Sequence, residues 1–269
     1  MSESRPEPVR PEAESPFLID PRYCGPPETG NGGYVAGLLA RRLAGRVEGT
    51  AGRPGAVEVT LRAPAPLGHA LAVGLAASGA RGASGAGEAD LQLRDGEQVL
   101  ATARRVRLDL DVPEPPDFAE AEAVAGRCRA FETHPFPGCF VCGPERPAGD
   151  GMRVFPGWLA ERRLAAAAWI PDASLCDAGG RVRPEFLWAA LDCPSAFPLL
   201  EDPEAQRLEP LVLGRLAAEL HAEPEAGQRV VLSAWSIVLE GRKGIAGTAI
   251  HDASGACLAR ARATWISLA

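Results

Sequence analysis

The chain repeats itself, and that constrains its fold more than any other feature. NGGYVAGLLARRLAG from Asn31 has a counterpart in RPEFLWAALDCP from Arg183. Pro64-Ala65-Pro66-Leu67-Gly68 pairs with Pro210-Leu211-Val212-Leu213-Gly214. Leu100-Ala101-Thr102-Ala103-Arg104 pairs with Leu258-Ala259-Arg260-Ala261-Arg262. One such pair is chance in an Ala-rich chain. Three in one order, each about 150 residues apart, indicate a duplicated unit.

Each unit reads as one helix followed by four or more strands. In the first, Val35, Leu38, Leu39 and Leu43 share a helix face at i, i+3, i+4 and i+8. AVEVTLR alternates Val57, Val59 and Leu61 with Glu58, Thr60 and Arg62, the pattern of a half-buried strand. HALAVGLAA, EADLQLR and QVLATARRVRLDL follow, separated by turn-forming residues. LVLGRLAAELH, RVVLSAWSIVLE, GIAGTAIHD and ACLARARATWISL repeat the pattern after the second helix. FLWAAL is apolar all round and belongs at the centre of such a unit. The expected fold is α+β, an antiparallel sheet wrapped around a central helix, twice. Residues 1–15 read as a disordered tail, 16–112 as the N-terminal unit, 113–130 as a proline-rich linker and 131–269 as the C-terminal unit.

Charge and composition narrow the function. With 28 Lys+Arg against 35 Asp+Glu, the net charge is -7, which argues against a nucleic-acid partner. No apolar run approaches the roughly 18 residues of a membrane span, and the polar, proline-rich start lacks the apolar core of a signal peptide. Seven scattered cysteines, an odd number, suit reduced thiols and a cytoplasmic location.

The words GNGGYVAGLLARRL, VEVTLRAPAPLG and DGEQVLATA resemble the N-terminal unit of double-hotdog acyl-CoA thioesterases of the bacterial type II kind. CFVCGPERPAGDGMRV is similar to a CFxCG…GL segment that opens some single-domain hotdog thioesterases, and LWAALDCP to their acid-bearing helix. The resemblance spans about residues 17–268 and implies a tandem hotdog with acyl-CoA as substrate. Coenzyme A would enter only as part of that substrate, with no cofactor required and a homodimer as the default association. The chain departs from the pattern at two places. Asn31-Gly32-Gly33 stands where many relatives have His-Gly-Gly, and the first helix has Ala40 where the second has Asp192.

Thioester hydrolysis needs a positioned water, a base and donors for the developing oxyanion. A helix start offers free N–H groups, and glycines there let a carbonyl approach. In hotdog pairs the acid of one unit faces the helix start of the other. The resemblance therefore implies a site joining Asp192, as general base or nucleophile, to Asn31 and the Gly33 N–H, with Gly32 beside them. The mirror site, Arg183-Pro184-Glu185 with Ala40, lacks the acid and is expected to be degenerate. The plainer readings stay open: Gly32-Gly33 as a tight turn, Asp192 as a capping or arginine-paired residue. Tyr34 and Trp188 are candidate walls of an acyl tunnel, and Arg242 and Lys243 a candidate patch for coenzyme A phosphates, against a solvated hairpin turn.

Cys139 and Cys142 have knuckle spacing, and His134 is near them. A closed zinc site needs four protein ligands, and no second CxxC exists, which leaves Cys176, Cys128 or Asp150 to complete it. A cysteine-lined turn without metal is therefore expected, with Cys193 as a core residue. Three other functions compete with a thioesterase: a non-catalytic acyl-CoA or lipid binder, a hydratase or dehydratase that would want a histidine at position 31, and a zinc-dependent interaction module.

Overall fold

A computed structural model describes residues 17–45, 55–76, 90–201 and 210–268. The tail expected over residues 1–15 lies outside the described residues. In chain order the elements are β1 (Phe17–Leu18), α1 (Gly32–Ala44), β2 (Val57–Leu61), β3 (Ala70–Leu75), β4 (Leu91–Asp95) and β5 (Gln98–Arg105). Then come α2 (Phe118–Ala125), β6 (Gly157–Leu159), β7 (Leu164–Trp169), α3 (Pro184–Asp192) and α4 (Phe197–Leu200). β8 (Leu211–Leu220), β9 (Val230–Glu240), β10 (Lys243–Asp252) and β11 (Cys257–Ser267) close the chain.

The strands form one antiparallel sheet in the order β1-β3-β4-β5-β2-β8-β11-β10-β9-β7-β6. Its seam is β2 against β8, with Val59 opposite Leu216. Read outward from the seam, the first half runs β2, β5, β4, β3, β1 and the second β8, β11, β10, β9, β7. These are the same order. In each half four strands follow the helix and the strand just before it pairs with the second of those four; the second half adds β6 outside β7. The topology thus repeats along with the sequence.

The long main-chain ladders follow from alternation. In β11, Ala261, Ala263 and Trp265 are buried between half-exposed neighbours. The inner face of the sheet packs on α1 and α3, which form one core with β2, β4, β5, β8 and β11. On the outer face a second cluster joins Ala121 and Val124 of α2 to Leu108, Leu110, Leu164, Val231 and Trp235.

Three readings of the sequence are corrected here. The proline-rich segment 113–130 contains α2, started by the Asp117 carboxylate accepting from the Glu120 N–H, and it covers the sheet instead of merely linking two units. Leu108 and Leu110 continue no strand; β5 ends at Arg105 and both leucines pack in that outer cluster. Pro64–Gly68 and Pro210–Gly214 are not structural counterparts. The first lies in the loop between β2 and β3, while the second runs into β8, the counterpart of β2. The other two sequence pairs fall on matching elements, α1 with α3 and β5 with β11.

Candidate functional site

The site begins where α1 and α3 cross. Asn31 is the N-cap of α1, its Oδ1 accepting from the Tyr34 N–H at 2.9 Å and its own N–H donating to the Tyr23 carbonyl at 2.8 Å. Such a cap stabilises a helix by about 1 kcal/mol. Gly33 and Gly37 lie one turn apart on the face that meets α3. A methyl group on Gly33 would sit 2.6 Å from the Trp188 carbonyl and 2.9 Å from the Ala189 Cα, and one on Gly37 would sit 2.7 Å from the Glu185 Cα. Only glycine lets the helices approach this closely. The helices run antiparallel, so the start of α1 meets the end of α3.

Asp192 occupies that meeting point. Its Oδ2 accepts from the Gly33 N–H at 2.7 Å across 159 residues of sequence, and its Oδ1, also buried, has no hydrogen-bond partner. Burial pushes the Asp192 carboxyl up to about 7, against the opposing pull of the Gly33 N–H. The residues after it fix its backbone. Trp265 Nε1–H donates to Ser195 Oγ at 2.8 Å, and Ser195 Oγ–H donates to the Asp192 carbonyl at 2.6 Å. No spacing signal links Ser195 or Trp265 to Asp192 in a general way, and sequence reasoning missed both.

Asp192, Asn31 and Gly32 border a cavity of ≈ 580 Å³, within the range that takes small ligands. Leu61, Leu213, Phe197, Trp265 and Ile266 supply apolar wall, and Arg62, Arg129 and His134 are its basic residues. Arg129 Nη1 donates to the Leu200 carbonyl at 2.8 Å.

The structure thus brings Asp192, Asn31, Gly32 and Gly33 together. It changes the role expected of Gly33. The Gly33 N–H is held by Asp192, so it is not an open oxyanion donor. Among the hydrogen bonds of the described residues none takes the Gly32 N–H, the first of the helix, which has no intrahelical acceptor.

Tyr34 and Trp188 do not line the cavity. Tyr34 points the other way, stacked on Tyr23 at 4.3 Å beside Phe186, and Trp188 is buried against Gly37. Helical geometry explains this, because both side chains leave the crossing on faces turned from the pocket. Arg242 and Lys243 do not line it either. Arg242 Nη2 donates to the Ser267 carbonyl at 2.6 Å in the β9–β10 turn, and Lys243 is exposed.

The mirror position is filled by an ion pair. Glu185, 1 % exposed, accepts from Arg41 Nη1 at 3.0 Å on each oxygen, with Arg183 Nη1 3.6 Å away.

Cys193 is not only a core residue. Its Sγ lies 3.7 Å from Cys139 Sγ, and the sulfurs of Cys139, Cys142 and Cys193 all lie within 4.8 Å of one another at the cavity wall. Asn31 Nδ2–H donates to Cys193 Sγ at 3.4 Å and to Cys139 Sγ at 3.8 Å. His134 Nε2 is 3.2 Å from Cys142 Sγ. Hydrogen bonds from the Cys142 and Cys193 thiols favour the thiolate at Cys139 and push their own pKa up. The three residues named as a fourth ligand stand elsewhere. Asp150 pairs with Arg22 and Arg146, Cys176 donates to the Asp172 carbonyl, and Cys128 lies outside this cluster.

No family model matches this chain, and no curated protein matches it. Solved structures do. It is similar to a provisionally assigned thioesterase from Novosphingobium aromaticivorans DSM 12444, at 14% identity and TM-score 0.57, over 94% of each chain. It is similar to a tesB protein of Mycobacterium avium subsp. paratuberculosis, at 13% identity and TM-score 0.55, over 88% of this chain and 87% of that one. A conserved protein of unknown function with a hotdog fold from Alicyclobacillus acidocaldarius gives 12% identity and TM-score 0.51 over 93% and 91%. Nearly the whole chain therefore adopts a hotdog-type fold.

Proposed function

We propose that this chain is a tandem hotdog, units 16–112 and 131–269, that hydrolyses the thioester of an acyl-CoA in the cavity beside the start of α1 and the end of α3. One observation carries the reading: a buried carboxylate from one half is held against the helix start of the other, with one oxygen unpartnered and the residue on the wall of a largely apolar pocket. The two solved neighbours named as thioesterase and tesB protein support it.

The Asp192 carboxylate holds the attacking water through Oδ1 and takes its proton, while Oδ2 stays on Gly33. The Gly32 N–H, aided by the positive end of the α1 dipole, receives the oxyanion. Asn31 shapes this end of the pocket. The acyl chain lies along Leu213, Trp265 and Ile266, and coenzyme A leaves past Arg62 and Arg129 at the polar rim. Both halves of the site come from one chain, so a second copy is not needed to complete it. No helix among the described residues is long and apolar enough to cross a membrane. Seven free cysteines fit a reducing, cytoplasmic setting.

The test is thiol release from a panel of acyl-CoAs of increasing chain length. Wild type should release thiol, and Asp192→Asn should lose about 10²–10⁴-fold in rate while still binding the substrate. Binding without thiol release above background in wild type would establish the non-catalytic binder instead. The engaged Gly33 N–H is the observation that favours that second reading.

A further inference from the structure

Three sulfurs meet at the floor of the cavity, and thioester hydrolysis uses none of them. We propose that Cys139, Cys142 and Cys193 form a site for zinc, bound by three thiolates with its fourth position open to the cavity. This is independent of the thioester reading and fails or stands separately from it.

The geometry is that of a thiolate cage. Zinc–sulfur bonds of about 2.3 Å in a tetrahedron place sulfurs about 3.8 Å apart. Cys139 and Cys193 are already at 3.7 Å, and Cys142 lies within 4.8 Å of both. Among the described residues, no other group of three metal-binding side chains converges in this way. All three are buried, yet each borders the cavity, so an ion has both a cage and an entry path.

The backbone holds the cage rigid. Gly143 N–H donates to the Cys139 carbonyl at 2.9 Å and closes the Cys139–Cys142 turn. A side chain on Gly143 would stand 2.5 Å from that carbonyl and from Cys139 N, so the turn requires glycine. Phe140 N–H donates to the Cys24 carbonyl at 2.8 Å, and Val154 N–H to the Val141 carbonyl at 2.9 Å. Cys193 enters from the end of α3, fixed by the Ser195 and Trp265 bonds described above.

Donors surround the sulfurs. A thiolate only accepts hydrogen bonds, and metal-bound sulfur is commonly supported by such partners. Buried Asn31 turns its Nδ2–H towards both Cys193 and Cys139. The Phe136 N–H donates to His134 Nδ1 at 2.9 Å, so the ring proton sits on Nε2 and is given to Cys142 Sγ. A protonated nitrogen is not a ligand. His134 therefore supports the cage from outside, and three thiolates remain as the protein's ligands. Soft sulfur donors in a tetrahedral arrangement select zinc over magnesium or calcium. Zinc sites that keep three protein ligands hold water or a substrate atom in the fourth place. Binding expels the protons of those thiols that carry them.

The experiment uses the full chain, stripped of metal with chelator under reductant and titrated first with Co²⁺ and then with Zn²⁺. One Co²⁺ per chain is expected, with thiolate-to-cobalt charge-transfer bands and the intense visible bands of a tetrahedral site, both erased by Zn²⁺. Cys139→Ser, Cys142→Ser and Cys193→Ser should each lose those bands, and Cys257→Ser should keep them. His134→Ala should keep the thiolate bands and bind about 10–100-fold more weakly. Because a cysteine variant can fail to fold, alkylation of wild type with and without Zn²⁺ gives a second readout. Zinc should protect Cys139, Cys142 and Cys193 and leave Cys24, Cys176 and Cys257 reactive. Cobalt uptake without thiolate bands, protection of other cysteines, or a Cys139–Cys193 disulfide in a chain that takes up no metal after reduction would overturn the proposal.

Discussion

The two ends of the α1–α3 crossing are topological counterparts with opposite chemistry. At one end a helix start with two glycines meets the Asp192 carboxylate, and the Gly33 N–H donates to it at the edge of a cavity. At the other, Pro184 stands at the position of Gly32 and has no N–H to offer, and Glu185, at the position of Gly33, fills the space with a carboxylate paired to Arg41. The first arrangement leaves an oxygen of a buried acid unpartnered. The second satisfies its acid on both oxygens. An unpaired buried acceptor costs about 1–3 kcal/mol. Of the two matching ends of the crossing, one borders the cavity and the other is closed by an ion pair.

The largest expected effect separates the two ends by activity. Asp192→Asn should lower thiol release by about 10²–10⁴-fold, whereas Glu185→Gln, a change to the acid at the other end of the crossing, should leave the rate at the wild-type level. Equal losses in both variants would show that the ends act through the stability of the crossing and not through chemistry.

Gly33→Ala should act on both properties. The added methyl meets the Trp188 carbonyl at 2.6 Å, and backbone cannot yield as a side-chain tip can. Overpacking of this kind costs about 1–3 kcal/mol, read as a lower midpoint in urea, and the parted helices should also release Asp192 from its donor and lower the rate. Arg41→Ala tests the ion pair alone. Its loss should cost about 1–2 kcal/mol, more than the ~1 kcal/mol of an exposed pair and less than the ~3–5 kcal/mol of a fully buried one. Arg41 is half exposed and Arg183 stays near Glu185, so water and the second arginine offset part of the loss. Thiol release at saturating substrate should not change.

How far the sequence reveals this crossing depends on the type of contact. α1 and α3 carry their repeat in plain view, because both must be apolar to lie under a sheet, and Asp192 is conspicuous in the apolar run FLWAALDCP. The meeting of the α1 start with Asp192 is implied by the resemblance to hotdog pairs and not by the residues themselves, and the structure makes it through the Gly33 N–H. Cys193 is different. It meets Cys139 across 54 residues through the packing of α3 on the turn, and no periodicity encodes that distance. The Pro–Leu–Gly pair misled because similar words sit in a loop in one half and a strand in the other. Segment 113–130 misled because proline content signals a linker, while the apolar Ala121 and Val124 that dock α2 are only two residues.

The smallest effect tests where the phosphates of the proposed acyl-CoA substrate would leave the pocket. Both halves offer basic residues near a strand end, Arg62 just after β2 and Arg242-Lys243 at the β9–β10 turn, and only Arg62 lines the cavity. Arg62 is exposed, so a phosphate contact there is screened by solvent and salt. A rim charge of this kind contributes at most about 1 kcal/mol, which limits the rise in KM for Arg62→Ala to about fivefold. That rise should shrink as salt is added, and kcat should hold, because the contact exists equally in ground and transition states. Lys243→Ala should change KM less than Arg62→Ala at every ionic strength. The reverse order would move the phosphate exit to the second half of the molecule and make the hairpin, not the β2 end, the wall along which the substrate lies.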